Sequence, residues 1–232
     1  MQRNPIKEQT LITLIMTLSS LLIGLWILIS AVGSGPVLAM QRVALSPCSE
    51  KETAELLNQV ISSGEIDAQW LSSVGFQPVD AYRVERMSGV AGIVVWKLED
   101  QQTYVCAYLL VNAQVIFDIV TMLGSGMFTT GKSKDSQLLP YAPGSYMQSF
   151  TATIPVLYRR HREGLQALER LKKLVPVAGD QSFEEYFSEA MLEQSAYIRS
   201  LSFWPFRIPW WYFTRRSGRH EKTIAELEKV NF

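Results

Sequence analysis

The sequence predicts an α+β protein: one N-terminal transmembrane helix, then an antiparallel β-meander of about four strands flanked by helices. Three observations carry that prediction. An uncharged apolar run, Leu11–Val32, stands near the start of the chain. Between Val79 and Met122 the apolar residues alternate or fill both faces of short runs broken by polar turns. On either side of that stretch, serines followed three residues later by glutamate introduce runs with helical spacing.

The apolar run reaches about 33 Å as a helix at ~1.5 Å per residue, enough to cross a hydrocarbon core of about 30 Å. Within lipid it must be helical, because every backbone polar group needs an internal partner there. Leu11, Leu18, Leu22, Leu25, Trp26 and Ile29 are its expected membrane-span residues, with residues 1–10 as a tail before it. Gly33-Ser34-Gly35-Pro36 is expected to break the helix, leaving residues 33–48 as linker. Val37-Leu38-Ala39 has the small-residue form of a signal cleavage site. A secretory core is only ~7–15 apolar residues, however, so length favours a retained single-pass anchor in the cell membrane. Arg3 and Lys7 precede the span, and only Arg42 and Lys51 follow it closely, which leans towards N-terminus in and domain out.

Composition narrows the function classes. The 22 basic and 22 acidic residues give zero formal net charge, so no global field attracts nucleic acid. Hydrophobic content of 47% and aromatic content of 11% mark a folded chain. Cys48 and Cys106 read as two free thiols, a disulfide between them being the alternative. No zinc-type spacing occurs, and His161 and His220 are the only histidines, so neither a metal site nor a cofactor is expected.

Residues 49–198 read as the α+β domain. Ser49 and Glu52 form a capping box before a stripe of Ala54, Leu56, Leu57, Val60 and Ile61, which Gly64 ends. A short helix over Ile66–Val74 stops at Gly75, and Gly75-Phe76-Gln77-Pro78 turns the chain into extended structure. Val79–Met87 alternates. Ile93–Glu99 and Thr103–Val111 form a hairpin about Asp100-Gln101-Gln102, and Asn112-Ala113 turns into Gln114–Met122. A second membrane helix over Val105–Leu123 competes with the last two strands, but Asp118 would cost roughly 2.5–3.5 kcal/mol at mid-bilayer. The sheet is therefore preferred, with something packed on each apolar face. Gly124–Gly144 reads as loop. Thr153 and Pro155 open a helix with the stripe Leu157, His161, Leu165, Leu168 and Leu171 or Lys172, ending near Val175-Pro176. Ser182 and Glu185 box the next, whose face is Phe183, Tyr186, Phe187, Ala190, Met191, Tyr197 and Ile198.

Trp70–Pro78, Tyr82-Arg83-Val84, the apolar hairpin, Phe128-Thr129-Thr130 and Leu157 with His161 resemble an uncharacterised bacterial family of membrane-anchored proteins. Its members carry an N-terminal hydrophobic segment, a Gly-Phe-x-Pro turn and a strand running into a Thr-Thr pair. The resemblance covers about Trp70–Leu165 and implies an architecture, with no activity or cofactor attached. This chain has Gly124-Ser125-Gly126 where similar ones often have an Asp-Gly turn.

Two stretches invite chemical readings. Gly126–Ser133 fits the phosphate-loop pattern through Gly126, Gly131, Lys132 and Ser133. Such a loop must open a helix pointing its amides at the phosphates, and Asp135–Pro140 leaves room for barely one turn. His161 could act as a base, but its place in an apolar stripe reads as a histidine satisfied at a helix–sheet seam. His220 reads as a surface residue. Catalytic residues are expected to be none, and the enzymatic alternative is a nucleotide-binding or hydrolytic domain using Gly126–Ser133 or His161. The second stretch is the aromatic and basic segment of residues 199–232. More than half of Leu201–Phe213 is aromatic, and Pro205 and Pro209 should stop the preceding helix from continuing and leave the segment too short and interrupted to span a bilayer. Trp204, Phe206, Arg207, Trp210, Trp211, Arg215 and Arg216 are its candidate membrane or partner contacts, since such rings and cations suit the headgroup level. The expectation is a non-catalytic binding, scaffold or assembly module on a lipid bilayer, with another membrane protein as a further partner and no nucleic acid.

Overall fold

The computed structural model describes residues 5–87, 89–98, 102–124, 126–177 and 182–229. Seven strands lie side by side in sequence order: β1 (Ala44–Pro47), β2 (Phe76–Glu85), β3 (Val90–Leu98), β4 (Thr103–Leu110), β5 (Val115–Leu123), β6 (Gly126–Gly131) and β7 (Tyr146–Ser149). Neighbours from β1 to β6 are antiparallel, and β7 joins β6 in parallel. The α+β class and the central meander match the sequence expectation, but the strand number does not. The three additional strands have little local signature. β1 is four residues long at the edge of the sheet, inside the stretch expected to be linker. β6 runs glycine to glycine through Thr129-Thr130, in the stretch expected to be loop. β7 is brought back by the crossover over residues 132–145, the length of connection a parallel pair requires.

Helices cover both faces, giving three layers. On one side α2 (Glu50–Ser62), α3 (Ala68–Ser73) and α4 (Ile154–Lys172) close over Val94, Trp96, Val105, Phe117 and Ile119. On the other, α5 (Phe183–Ser200) sets Phe183 and Phe187 against Ile93, Val95, Tyr104, Cys106 and Val120. Burial on both faces is why β4 and β5 are apolar throughout, and it removes the second membrane helix over Val105–Leu123. Both capping boxes form, at Ser49 with Glu52 and Ser182 with Glu185. α3 is shorter than expected because Asp67 caps it, its carboxylate accepting from the Trp70 amide at 2.9 Å. The hairpin turn at Asp100-Gln101 and the turn residue Ser125 lie outside the described residues.

α1 spans Pro5–Met40 and continues through Gly33-Ser34-Gly35-Pro36, against the expected break. Pro36 removes one helical hydrogen bond, and tertiary packing compensates. Ser30, Ser34 and Val37 share a buried face of the helix, and the Ser195 hydroxyl of α5 donates to the Val37 carbonyl at 2.8 Å. The same end of α1 packs on α6 (Trp204–Thr214), where Gly33 lets Ile208 approach. α5 ends at Ser200 and does not continue through the prolines; a separate helix follows, with Pro205 in the first turn of α6 and Pro209 within it. α7 (Arg216–Arg219) and α8 (Ile224–Leu227) complete the described chain, with Ile224 buried beside Ala167 and Leu168 of α4.

Candidate functional site

The phosphate-loop pattern dissolves into sheet. Gly126–Gly131 is β6, its backbone engaged with β5 on one side and β7 on the other. A side chain at Gly126 would strike the Gly144 carbonyl oxygen at 2.6 Å, so that glycine serves a close backbone crossing. Lys132 pairs with Glu65, and the Ser133 hydroxyl caps the single 3-10 turn Lys134–Gln137 by accepting from the Asp135 amide at 3.1 Å. No amide nest or long helix follows, so these residues form no phosphate cradle.

His161 is fully buried on α4 and bonded at both ring nitrogens. Nε2 lies 2.8 Å from the Thr121 hydroxyl and Nδ1 2.9 Å from the Thr130 hydroxyl. Thr121 continues to Thr103 at 2.7 Å, and the Gln148 amide donates to Thr130 at 3.1 Å and to the Arg160 carbonyl at 2.9 Å. The Phe128 ring stacks on the imidazole with centroids 4.7 Å apart. Burial without a charge partner pushes the His161 pKa down to about 3, so it is a neutral strut joining β4, β5, β6 and β7 to α4.

His220 is not the surface residue expected. Its Nδ1 lies 2.9 Å from the Ser149 hydroxyl and its Nε2 3.2 Å from a Glu221 carboxylate oxygen. The order Ser–His–Glu suggests a hydrolytic set. Ser149, however, is fully buried in β7, and Glu221 also accepts from the Thr151 amide at 2.7 Å. The Glu221 amide in turn donates to the Ser149 carbonyl at 2.8 Å. The group is a clasp holding the C-terminal segment to the last strand. Cys48 and Cys106 are both free thiols, and among the described residues no three His, Cys, Asp or Glu side chains gather to hold a metal ion.

The aromatic segment divides by face. Trp211 donates its indole N–H to the Gln137 carbonyl at 2.9 Å. Arg216 is buried, 3.0 Å from Asp135 and 4.2 Å above the Tyr212 ring, while Trp204 packs on Ile198 and Ile208. Arg215 lies over the Trp210 ring at 5.1 Å. Phe206, Arg207 and Trp210 point outward, together with Phe203 and Phe213, which are 80% and 62% exposed. Of the residues expected to span a membrane, Leu18, Leu22 and Leu25 are exposed and Trp26 and Ile29 partly so; the Leu11 side chain lies outside the described ones.

The feature absent from the sequence reading is a cavity of about 470 Å³ between the sheet, α5, the end of α1 and the β6–β7 crossover. Its walls are mainly apolar, from Val120 and Met127 of the sheet to Phe187, Ala190 and Met191 of α5. Polar groups converge within it. The Tyr108 hydroxyl stands 3.4 Å from both oxygens of Asp118, beyond good hydrogen-bond distance, and the buried Tyr186 hydroxyl has no partner. Asp118 keeps part of its surface in the cavity, yet removal from bulk water pushes its carboxyl up to about 7. In sequence Asp118 is one polar residue in an apolar strand; its meeting with Tyr108 follows from the register that pairs Tyr108 with Ile116. Tyr186, one turn into α5, carries no local mark of its role. No family model, curated protein or solved structure matches the chain.

Proposed function

We propose that the protein is a single-pass, membrane-anchored binding module whose domain is joined rigidly to its own membrane helix. The observation that carries this is the division of α1. One helix near the N-terminus, Ile12–Met40, is long and apolar enough to span a membrane, and the domain leaves its most apolar stretch unburied. From Ser30 onward the same helix is part of the fold, docked on α5 and α6. A signal peptide cut after Ala39 would take with it Val37, whose side chain and carbonyl are both used by the domain. That supports retention of the helix. The outward rings of α6 beside α1 support a second, shallow contact with lipid headgroups. The absence of an accessible nucleophile–base pair at His161 and His220 favours binding over catalysis.

The test is alkaline carbonate extraction of the full-length chain from membranes, followed by protease protection of tags at each end. The reading expects the chain to stay in the pellet at full length, with the C-terminal tag cleaved from outside intact cells and the N-terminal tag protected. Release into the supernatant, or a mature N-terminus at Met40, would overturn it.

A further inference from the structure

The cavity has a size and lining that can be matched to a ligand class. Its volume of about 470 Å³ falls within the roughly 300–1,000 Å³ typical of small-molecule sites. Apolar walls on both the sheet and α5 suit an aliphatic chain, and Pro36, Ala39 and Met40 of α1 form one side. The site therefore adjoins the segment by which the domain meets its membrane helix. Of its charged neighbours, Lys132 pairs with Glu65 and Asp135 with Arg216, while Asp118 has no ion-pair partner among the described residues. Deep among the apolar walls, the groups that face a ligand's polar end include the unpartnered Tyr186 hydroxyl and the loosely engaged Tyr108–Asp118 pair. An unmet buried hydroxyl favours a ligand that can satisfy it.

We propose that this cavity binds a single-chain lipid with an uncharged carboxyl, ester or hydroxyl end, its acyl chain lying between α5 and the sheet and its polar end against Tyr108, Asp118 and Tyr186. This rests on the membrane-anchored reading above and adds the ligand. A diacyl lipid would need room for a second chain, and an anionic headgroup would face the Asp118 carboxyl with Lys132 already paired to Glu65. The raised pKa of Asp118 agrees with an uncharged end, because a protonated carboxyl can donate a hydrogen bond to it.

The test is photolabelling of the full-length protein in native membranes with diazirine-bearing palmitic acid, then peptide mapping. Label is expected on the α5 peptide containing Ala190 and Met191, and separately on α1 between Leu18 and Leu25. Ala190→Trp, which fills the cavity from α5, should lower the α5 label about ten-fold and leave the α1 label unchanged. Met191→Trp supplies the same block if the first variant fails to fold, judged by its thermal midpoint. Tyr186→Phe, which keeps the ring and removes the hydroxyl, should lower the α5 label about five-fold. Label on α1 alone, or α5 label that neither tryptophan reduces, overturns the proposal. Label on α5 without α1 supports the pocket and overturns the anchor, so the two readings fail separately.

Discussion

Two buried titratable residues set opposing pH slopes on stability. His161 titrates near 6.5 when unfolded and near 3 when folded, so between those values the unfolded state binds more protons. Its contribution is complete above pH 6.5 and is lost as pH falls towards 3, by up to about 1.4 kcal/mol per pH unit. Asp118 does the reverse. Its folded pKa of about 7 against a reference of 3.8 means that the folded state holds the proton longer, and stability falls as pH rises through that interval. The two slopes oppose each other between about pH 4 and 6.5. Asp118→Asn should therefore uncover the histidine slope across that range and exceed the parent in stability at pH 8; thermal midpoints measured from pH 4 to 8 check this. A profile with the parent's shape would show that Asp118 does not titrate in the fold. Gly164 makes a third prediction. A methyl there would overlap the Phe128 ring that stacks on His161, so Gly164→Ala should destabilise by about 1–3 kcal/mol in denaturant titration despite the better helix propensity of alanine.

Among the elements, α6 has two unlike faces. Ile208 and Pro209 are buried, Ile208 against α1, while Phe203, Phe206, Trp210 and Phe213 face outward. In nanodiscs of brominated lipid, a single-tryptophan variant keeping Trp210 should be quenched, and one keeping Trp96 in the sheet should not. Equal emission from both would place α6 away from the bilayer. The junction itself depends on Gly33, where a Cβ would already stand 3.3 Å from Ile208. Gly33→Leu should lower the thermal midpoint by about 4–8 °C by forcing α6 off α1. Elements with a local cause were legible in the sequence: the boxed helices α2 and α5, the proline-started α4, and β2 to β5 with their periodic apolar faces. β1, β6 and β7 were not, because their strand geometry comes from neighbours and their own residues are few, small or hydroxylated. The continuation of α1 past Pro36 was hidden for the same reason, since Ser195 and Ile208 sustain it from far along the chain. The cavity was the least legible feature of all. Tyr108, Asp118 and Tyr186 come from three elements, and only the folded sheet brings them together.

At the scale of the whole molecule, the apolar helix is exposed and long enough to span a membrane over its first part and is a packing element over its last. A fragment beginning at Gln41 would lose the Val37 contacts and one wall of the cavity. It should have a lower thermal midpoint than the full chain; equal midpoints would show that α1 contributes nothing to the stability of the domain. The bond from Ser195 to Val37 also carries a consequence for biogenesis. Its partners are 158 positions apart, so a ribosome must release most of the chain before the junction of α1 with α5 can close. Until then the nascent sheet has one face uncovered, because α5 and α6 are made after all seven strands. Contacts of such separation form slowly and leave apolar surface open to aggregation. Maturation should accordingly depend on a chaperone that shields that face, and chains stopped before α5 should be the preferred substrates of membrane-bound proteases.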